Sequence, residues 1–214
     1  TEVNLVLPTI PNIAVNGSFE TGDPGTLGDP DISNVKPLGY YRFAAYAGQT
    51  PVEPNPVAET LPWRYFINRA DAKDGTRFIG YVGGNSVAGQ TYSWESEGSM
   101  VGSRNVDNRG AGPMFPGGAS GATYKFSVWY KKSATTNPDI EANPPGTFRT
   151  FYFDSDDVGS TNTGATKDTM TNAAVPNWTQ FSNKFTVPAG KYLQFRFYEI
   201  DLQANEWVYY DDLS

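Results

Sequence analysis

Neither cysteine nor histidine occurs among the 214 residues of the chain. Without cysteine there is no disulfide, no thiolate nucleophile and no sulfur ligand for a metal, although a secreted bacterial or archaeal protein needs none of these. Without histidine there is no Ser-His-Asp triad, no imidazole zinc site and no histidine proton shuttle. Charge is sparse at 18%, and Lys+Arg 16 against Asp+Glu 23 leaves a formal net charge of -7. Such a surface repels a polyphosphate, which sets nucleic acid aside as a partner. No run approaches the ~20 apolar residues of a membrane-spanning helix. The start Thr1-Glu-Val-Asn4 lacks the basic stretch and apolar run of a secretion signal, so the expectation is a processed chain with no membrane span.

An apolar stripe at helical spacing is almost missing as well, and in its place apolar residues alternate with polar ones. That pattern predicts an all-β protein with a turn or two of helix at most. The clearest strands are residues 124–130, 148–153, 180–187, 192–198 and 207–210, all in the second half. Residues 13–19, 63–68, 77–82 and 91–95 are weaker, each bounded by Gly, Pro, Asn or Asp. Two stretches rich in Pro, Gly and Asp, residues 22–62 and 98–121, are read as long loops that either cover sheet edges or contact a ligand. The simplest account is one β-sandwich domain over residues 1–214, with residues 1–12 an extended N-terminal segment.

Alternation assigns faces within each strand. Tyr124, Phe126, Val128 and Tyr130 share a core face, leaving Lys125, Ser127 and Trp129 opposite; Leu193, Phe195 and Phe197 are set against Tyr192, Gln194, Arg196 and Tyr198. Phe151 and Phe153 are read as core and Tyr152 as outward, and Val208 and Tyr210 as opposite to Trp207 and Tyr209. The outward set is therefore aromatic plus polar. A pyranose ring packs its C–H face on an aromatic ring while its hydroxyls need amide and guanidinium partners. Trp129, Tyr152, Gln194, Arg196 and Tyr198 supply that mixture, unless the long loops cover these rings as a second small core.

Val15-Asn-Gly-Ser-Phe-Glu-Thr-Gly22 resembles the opening of a jelly-roll group of carbohydrate-binding modules that includes families four, sixteen and twenty-two. Further landmarks follow in the same order: Asp74-Gly-Thr-Arg-Phe78, the strand Ala122-Thr-Tyr-Lys-Phe-Ser-Val-Trp-Tyr-Lys131, Trp178 with Phe185-Thr-Val-Pro188, and Val208-Tyr-Tyr-Asp-Asp-Leu213. The chain departs from the group in delaying Trp63 behind a long insertion and in carrying the apolar Glu2-Val-Asn-Leu-Val-Leu7 ahead of the motif.

The resemblance implies a jelly roll of two antiparallel sheets, an extracellular or cell-surface location, polysaccharide as partner, and a structural Ca2+ held between the chain ends by Glu20, Asp211 and Asp212. The alternative for those carboxylates is pairing with nearby donors at a strand end. A second acidic cluster, Asp154, Asp156 and Asp157, lacks the ligand spacing of an EF-hand and reads as a solvated turn. Glycoside hydrolysis needs two carboxylates flanking one bond. Glu95, Glu97, Glu199, Asp201 and Glu206 are available, but nothing in the sequence pairs them, so the module is expected to be noncatalytic. Asn16-Gly-Ser18 and Asn177-Trp-Thr179 match the N-glycosylation pattern but overlap the strand motifs. A second reading competes: a subunit of an extracellular filament, sheath or surface layer, self-assembling through sheet edges and the alternating residues 2–7.

Overall fold

Alternating segments become strands when each apolar row finds another to bury against, and in the computed structural model of the chain they do so in two antiparallel sheets. The structure describes residues 17–20, 40–46, 63–66, 69–83, 90–96, 115–134, 147–153, 162–168, 173–200 and 203–214. Among the described residues there is no helix. The strands are β1 Tyr40–Tyr46, β2 Trp63–Phe66, β3 Phe78–Val82, β4 Gln90–Ser96, β5 Phe115–Pro116, β6 Ala122–Lys132, β7 Thr147–Phe153, β8 Asn162–Asp168, β9 Val175–Val187, β10 Tyr192–Ile200 and β11 Trp207–Asp211. One sheet has the order β1-β4-β10-β7-β8, with β5 added beside β10, and the other β2-β3-β11-β6-β9. This is the β-sandwich jelly roll that the alternation and the resemblance lead one to expect.

The core lies where the two sheets face each other. Phe126, Val128 and Tyr130 of β6, Val208 and Tyr210 of β11, and Leu193 and Phe197 of β10 are buried in one cluster, each on the face that alternation assigns. Phe197 and Tyr210 meet across the sandwich at 4.3 Å between ring centroids. The Tyr81 hydroxyl donates to the Phe197 carbonyl at 2.7 Å, which satisfies a buried phenol and ties β3 to the opposite sheet. Lys132 continues the core row of β6 and is buried with it. Burial pushes its ammonium down to about 8, against the favourable charge of Glu206.

The closing segment is pinned to the frame. Leu213 donates its N–H to the Gly17 carbonyl at 2.8 Å, and Ser214 exchanges both main-chain hydrogen bonds with Ser127.

Several readings of the sequence change. Strand β1 occupies part of the predicted loop 22–62, and β5 lies within 98–121. Strand β8, Asn-Thr-Gly-Ala-Thr-Lys-Asp, has no apolar alternation to announce it; pairing with β7 supplies what its composition does not. Of the predicted strand 13–19, Gly17 and Ser18 form a turn and the earlier residues lie outside the described ones. In β7 the face assignment reverses. Tyr152 stands opposite Leu193, and Phe151 opposite Gln194. Directly opposed residues share a face, so Tyr152 has the register of the core row and Phe151 that of Gln194. Aromatic residues fall on both parities of β7, Phe148 and Tyr152 on one and Phe151 and Phe153 on the other, and alternation has too little contrast there to choose between them.

Candidate functional site

Two of the three predicted carboxylates, Glu20 and Asp211, converge on one segment, residues 69–77. Glu20 Oε1 accepts the N–H groups of Thr76 and Arg77 at 2.8 and 2.7 Å, and Oε2 the Thr76 hydroxyl at 3.3 Å. Asp211 Oδ2 accepts from the Lys73 and Asp74 N–H groups at 2.7 and 3.1 Å, and Oδ1 from Asp212 N–H at 2.7 Å. Gly75 sits between them at φ +59°, and a Cβ there would lie 2.3 Å from the Glu20 carboxyl carbon. The turn thus needs glycine for its conformation and for its contact. Asp211 is fully buried. Desolvation pushes its carboxyl up to about 7 against these N–H contacts, and the neighbouring Asp212 adds to the rise.

A calcium ion asks for 6–8 hard oxygens. The oxygens of Glu20 and Asp211 are aimed at N–H and hydroxyl donors, and among the described residues no three acidic groups gather closely enough to hold a metal. These side chains alone do not compose a calcium shell. Asp154, Asp156 and Asp157 lie outside the described residues.

Residues 69–77 also strap the outer face of the five-stranded sheet. The Trp178 indole N–H donates to the Asp71 carbonyl at 2.7 Å, and Lys131 Nζ reaches the Asp71 carboxylate at 2.9 Å. Burial pushes the Asp71 carboxyl up, but hydrogen bonds from Lys131 and Arg69 outweigh it and hold the group below its ordinary value. Lys131 Nζ stands 4.5 Å from the Trp178 ring centroid and 5.4 Å from that of Phe78. Arg69 lies 5.3 Å over Phe66, and Trp207 stacks on Tyr209 at 4.6 Å. Trp129 belongs to this face: it opposes Gln180 and Asp211 in register, and Lys73 Nζ stands 4.3 Å over its ring. Around Trp129 the outer face is a small aromatic and cationic layer beneath the strap of residues 69–77.

The five predicted sugar-contacting residues are therefore not brought together. Trp129 is in the five-stranded sheet, whereas Tyr152, Gln194, Arg196 and Tyr198 are in the six-stranded one. Tyr152 has the parity of Leu193. Gln194, Arg196 and Tyr198 share the opposite parity, away from the core row of Leu193 and Phe197. Register extends their face across the sheet. Arg196 opposes Glu95 and Arg149, Glu95 opposes Tyr41, and Arg149 opposes Lys167. In the next row Tyr198 opposes Ser93 and Thr147, and Ser93 opposes Phe43. Tyr41, Phe43 and Arg149 escaped the sequence reading. The first two sit in a stretch taken for loop, and the arginine in a strand whose parity was inverted.

The carboxylates considered for hydrolysis do not pair either. Glu95 has the parity of Arg196, while Glu199 has that of Phe197, so the two lie on opposite faces of one sheet. Glu206 is buried in the turn before β11, where it accepts the Gln203 N–H at 3.0 Å. Glu97 and Asp201 lie outside the described residues.

No protein-family model and no curated protein matches the chain. Solved structures do. The enzymatically active domain of tailspike protein 4 from bacteriophage CBA120 matches with a TM-score of 0.52 at 11% identity, over 94% of this chain and 21% of that one. A cyclase from Fischerella sp. TAU matches at 13% identity with a TM-score of 0.49, over 92% of each chain. A family 16 carbohydrate-binding module is 15% identical, with 95% of this chain and 98% of that one covered and a TM-score of 0.45. The likeness is one of fold, the jelly-roll sandwich. A fold does not fix a function, so function has to be argued from the residues.

Proposed function

We propose that the chain is a noncatalytic, extracellular or cell-surface module of a bacterial or archaeal protein that binds polysaccharide on the outer face of its six-stranded sheet. The observation that carries this reading is the register that aligns Tyr41, Phe43, Phe151 and Tyr198 with Gln194, Arg149 and Arg196 on one side of the sheet. Aromatic rings and planar donors in one surface suit a sugar ring and its hydroxyls. The resemblance to carbohydrate-binding modules supports it. Trp129 is left out of this proposal because it belongs to the other sheet. Titration with a panel of soluble polysaccharides is the test: Tyr198→Ala should weaken binding roughly tenfold, about the worth of one stacked ring, and Trp129→Ala should leave it unchanged. Loss of binding in the Trp129 variant alone would move the site to the strapped face, and absence of binding to every glycan would end the proposal.

One observation favours the second reading, a self-assembling structural subunit. Strand β9 is 13 residues long and stands at the edge of its sheet, paired only with β6 among the described residues. Long open edges invite pairing with another chain. Light scattering across a concentration series checks it, and a monomer at every concentration would count against assembly. The Glu2–Leu7 segment invoked for that assembly lies outside the described residues.

A further inference from the structure

The face assigned to glycan binding carries an uneven distribution of charge. In the row Tyr41, Glu95, Arg196, Arg149, Lys167, which crosses five adjacent strands, three cations occupy neighbouring strands and one anion stands at their end. Three of the chain's 16 basic residues are thus aligned, although the whole chain has 23 acidic ones and a net charge of -7. Like charges directly opposite each other in a sheet destabilise it. In register Arg149 is opposed by a cation on both sides, and the one acid of the row, Glu95, stands opposite Arg196. Among the described residues, the adjoining rows, Phe43 with Ser93, Tyr198 and Thr147 on one side and Phe151 with Gln194 on the other, bring no acid. Neighbouring strands lie about 4.8 Å apart, so the three cations span about 10 Å, with aromatic residues in the same row and the next.

We propose that this face selects an anionic polysaccharide, with Arg149, Arg196 and Lys167 receiving its carboxylate or sulfate groups. The inference rests on the glycan-binding reading of the same face and adds the class of ligand. A guanidinium presents a planar fork that fits carboxylate and sulfate oxygens two at a time, and an anion bound along the row would offset the like charges that register sets opposite each other. Neutral glycans offer hydroxyls but no charge to do this.

The test is calorimetric titration of the whole chain with polygalacturonate, a sulfated galactan and a neutral galactan. Tighter binding of either charged polymer than of the neutral one, weakening as salt is raised, is the expected result. Binding of both identifies a charge-reading row, and binding of polygalacturonate alone narrows the ligand to carboxylates. Arg149→Gln and Arg196→Gln should each weaken the charged ligand about tenfold and leave the neutral one unchanged. Lys184→Gln, on the edge strand of the other sheet, should change neither. Arg149→Gln should also melt no lower than the parent, because it relieves like-charge opposition; a large drop would mean that the row is held for structural reasons and would overturn the proposal. Equal affinity for neutral and charged polymers overturns it too while the glycan-binding reading survives. Failure to bind any of the three, together with a wider neutral panel, ends both.

Discussion

Asp211 shows how far a single residue's setting can depart from its sequence neighbourhood. Its carboxyl is buried, and its pKa is about 7 in the folded chain against an ordinary 3.8. The folded protein therefore keeps a proton that the unfolded chain releases between about pH 4 and 7. The stability contributed by this group is fully present below about pH 4 and is lost as pH rises through 7. Asp211→Asn keeps an oxygen for the Lys73 and Asp74 N–H groups and removes the titration. Compared with the parent, the variant should gain melting temperature at pH 7 relative to pH 4.5; equal differences at the two pH values would refute the assignment. The same clip bears on calcium. Because N–H groups and the Thr76 hydroxyl already occupy the Glu20 and Asp211 oxygens, adding calcium or a chelator should shift the melting temperature by less than about 1 °C. A calcium-dependent rise of several degrees would show that an ion replaces those contacts.

At the scale of elements, β9 allows the sharpest test. Phe126, Val128 and Tyr130 of β6 stand opposite Asn183, Phe181 and Thr179, while Ser127 gives its main-chain groups to Ser214. Hydrogen-bonded pairs alternate in an antiparallel ladder. The odd residues of β9 from 179 to 183 therefore bond to β6, and the main-chain groups of Gln180 and Ser182 point off the edge. Ser182→Pro should cost under about 1 kcal/mol, since proline is tolerated where no ladder bond is lost, whereas Phe181→Pro should cost about 3 kcal/mol or more. Chemical denaturation separates these outcomes, and equal losses would mean that the strand is offset by one residue. Strands with strong contrast, β6, β10 and β11, were legible from alternation alone. Strand β8, with no apolar row, and β7, with aromatic residues on both parities, were not: one offers no signal, and the other offers it on both faces.

Across the whole molecule, the two sheets and the chain end act together. Leu213 is buried in the shared core and Ser214 pairs with Ser127. Removing residues 213 and 214 gives up a buried leucine and that pairing, and should lower the melting temperature by roughly 5–15 °C; a shift within 2 °C would show that the closing segment is dispensable. The fold class, the core faces of three strands and the two carboxylates that meet the strap were determined by the sequence itself. Alternation is a local property, set by successive side chains pointing to opposite sides of one strand. Which sheet a strand joins is a nonlocal matter, decided by pairing between segments far apart in the chain. Trp129 and Tyr198 look equivalent along the sequence for that reason, yet only the tertiary structure places one in the strapped sheet and the other in the sheet of Arg149 and Lys167. The row Glu95, Arg196, Arg149, Lys167 exists only in that register, because it joins four strands whose residues are neighbours nowhere along the chain.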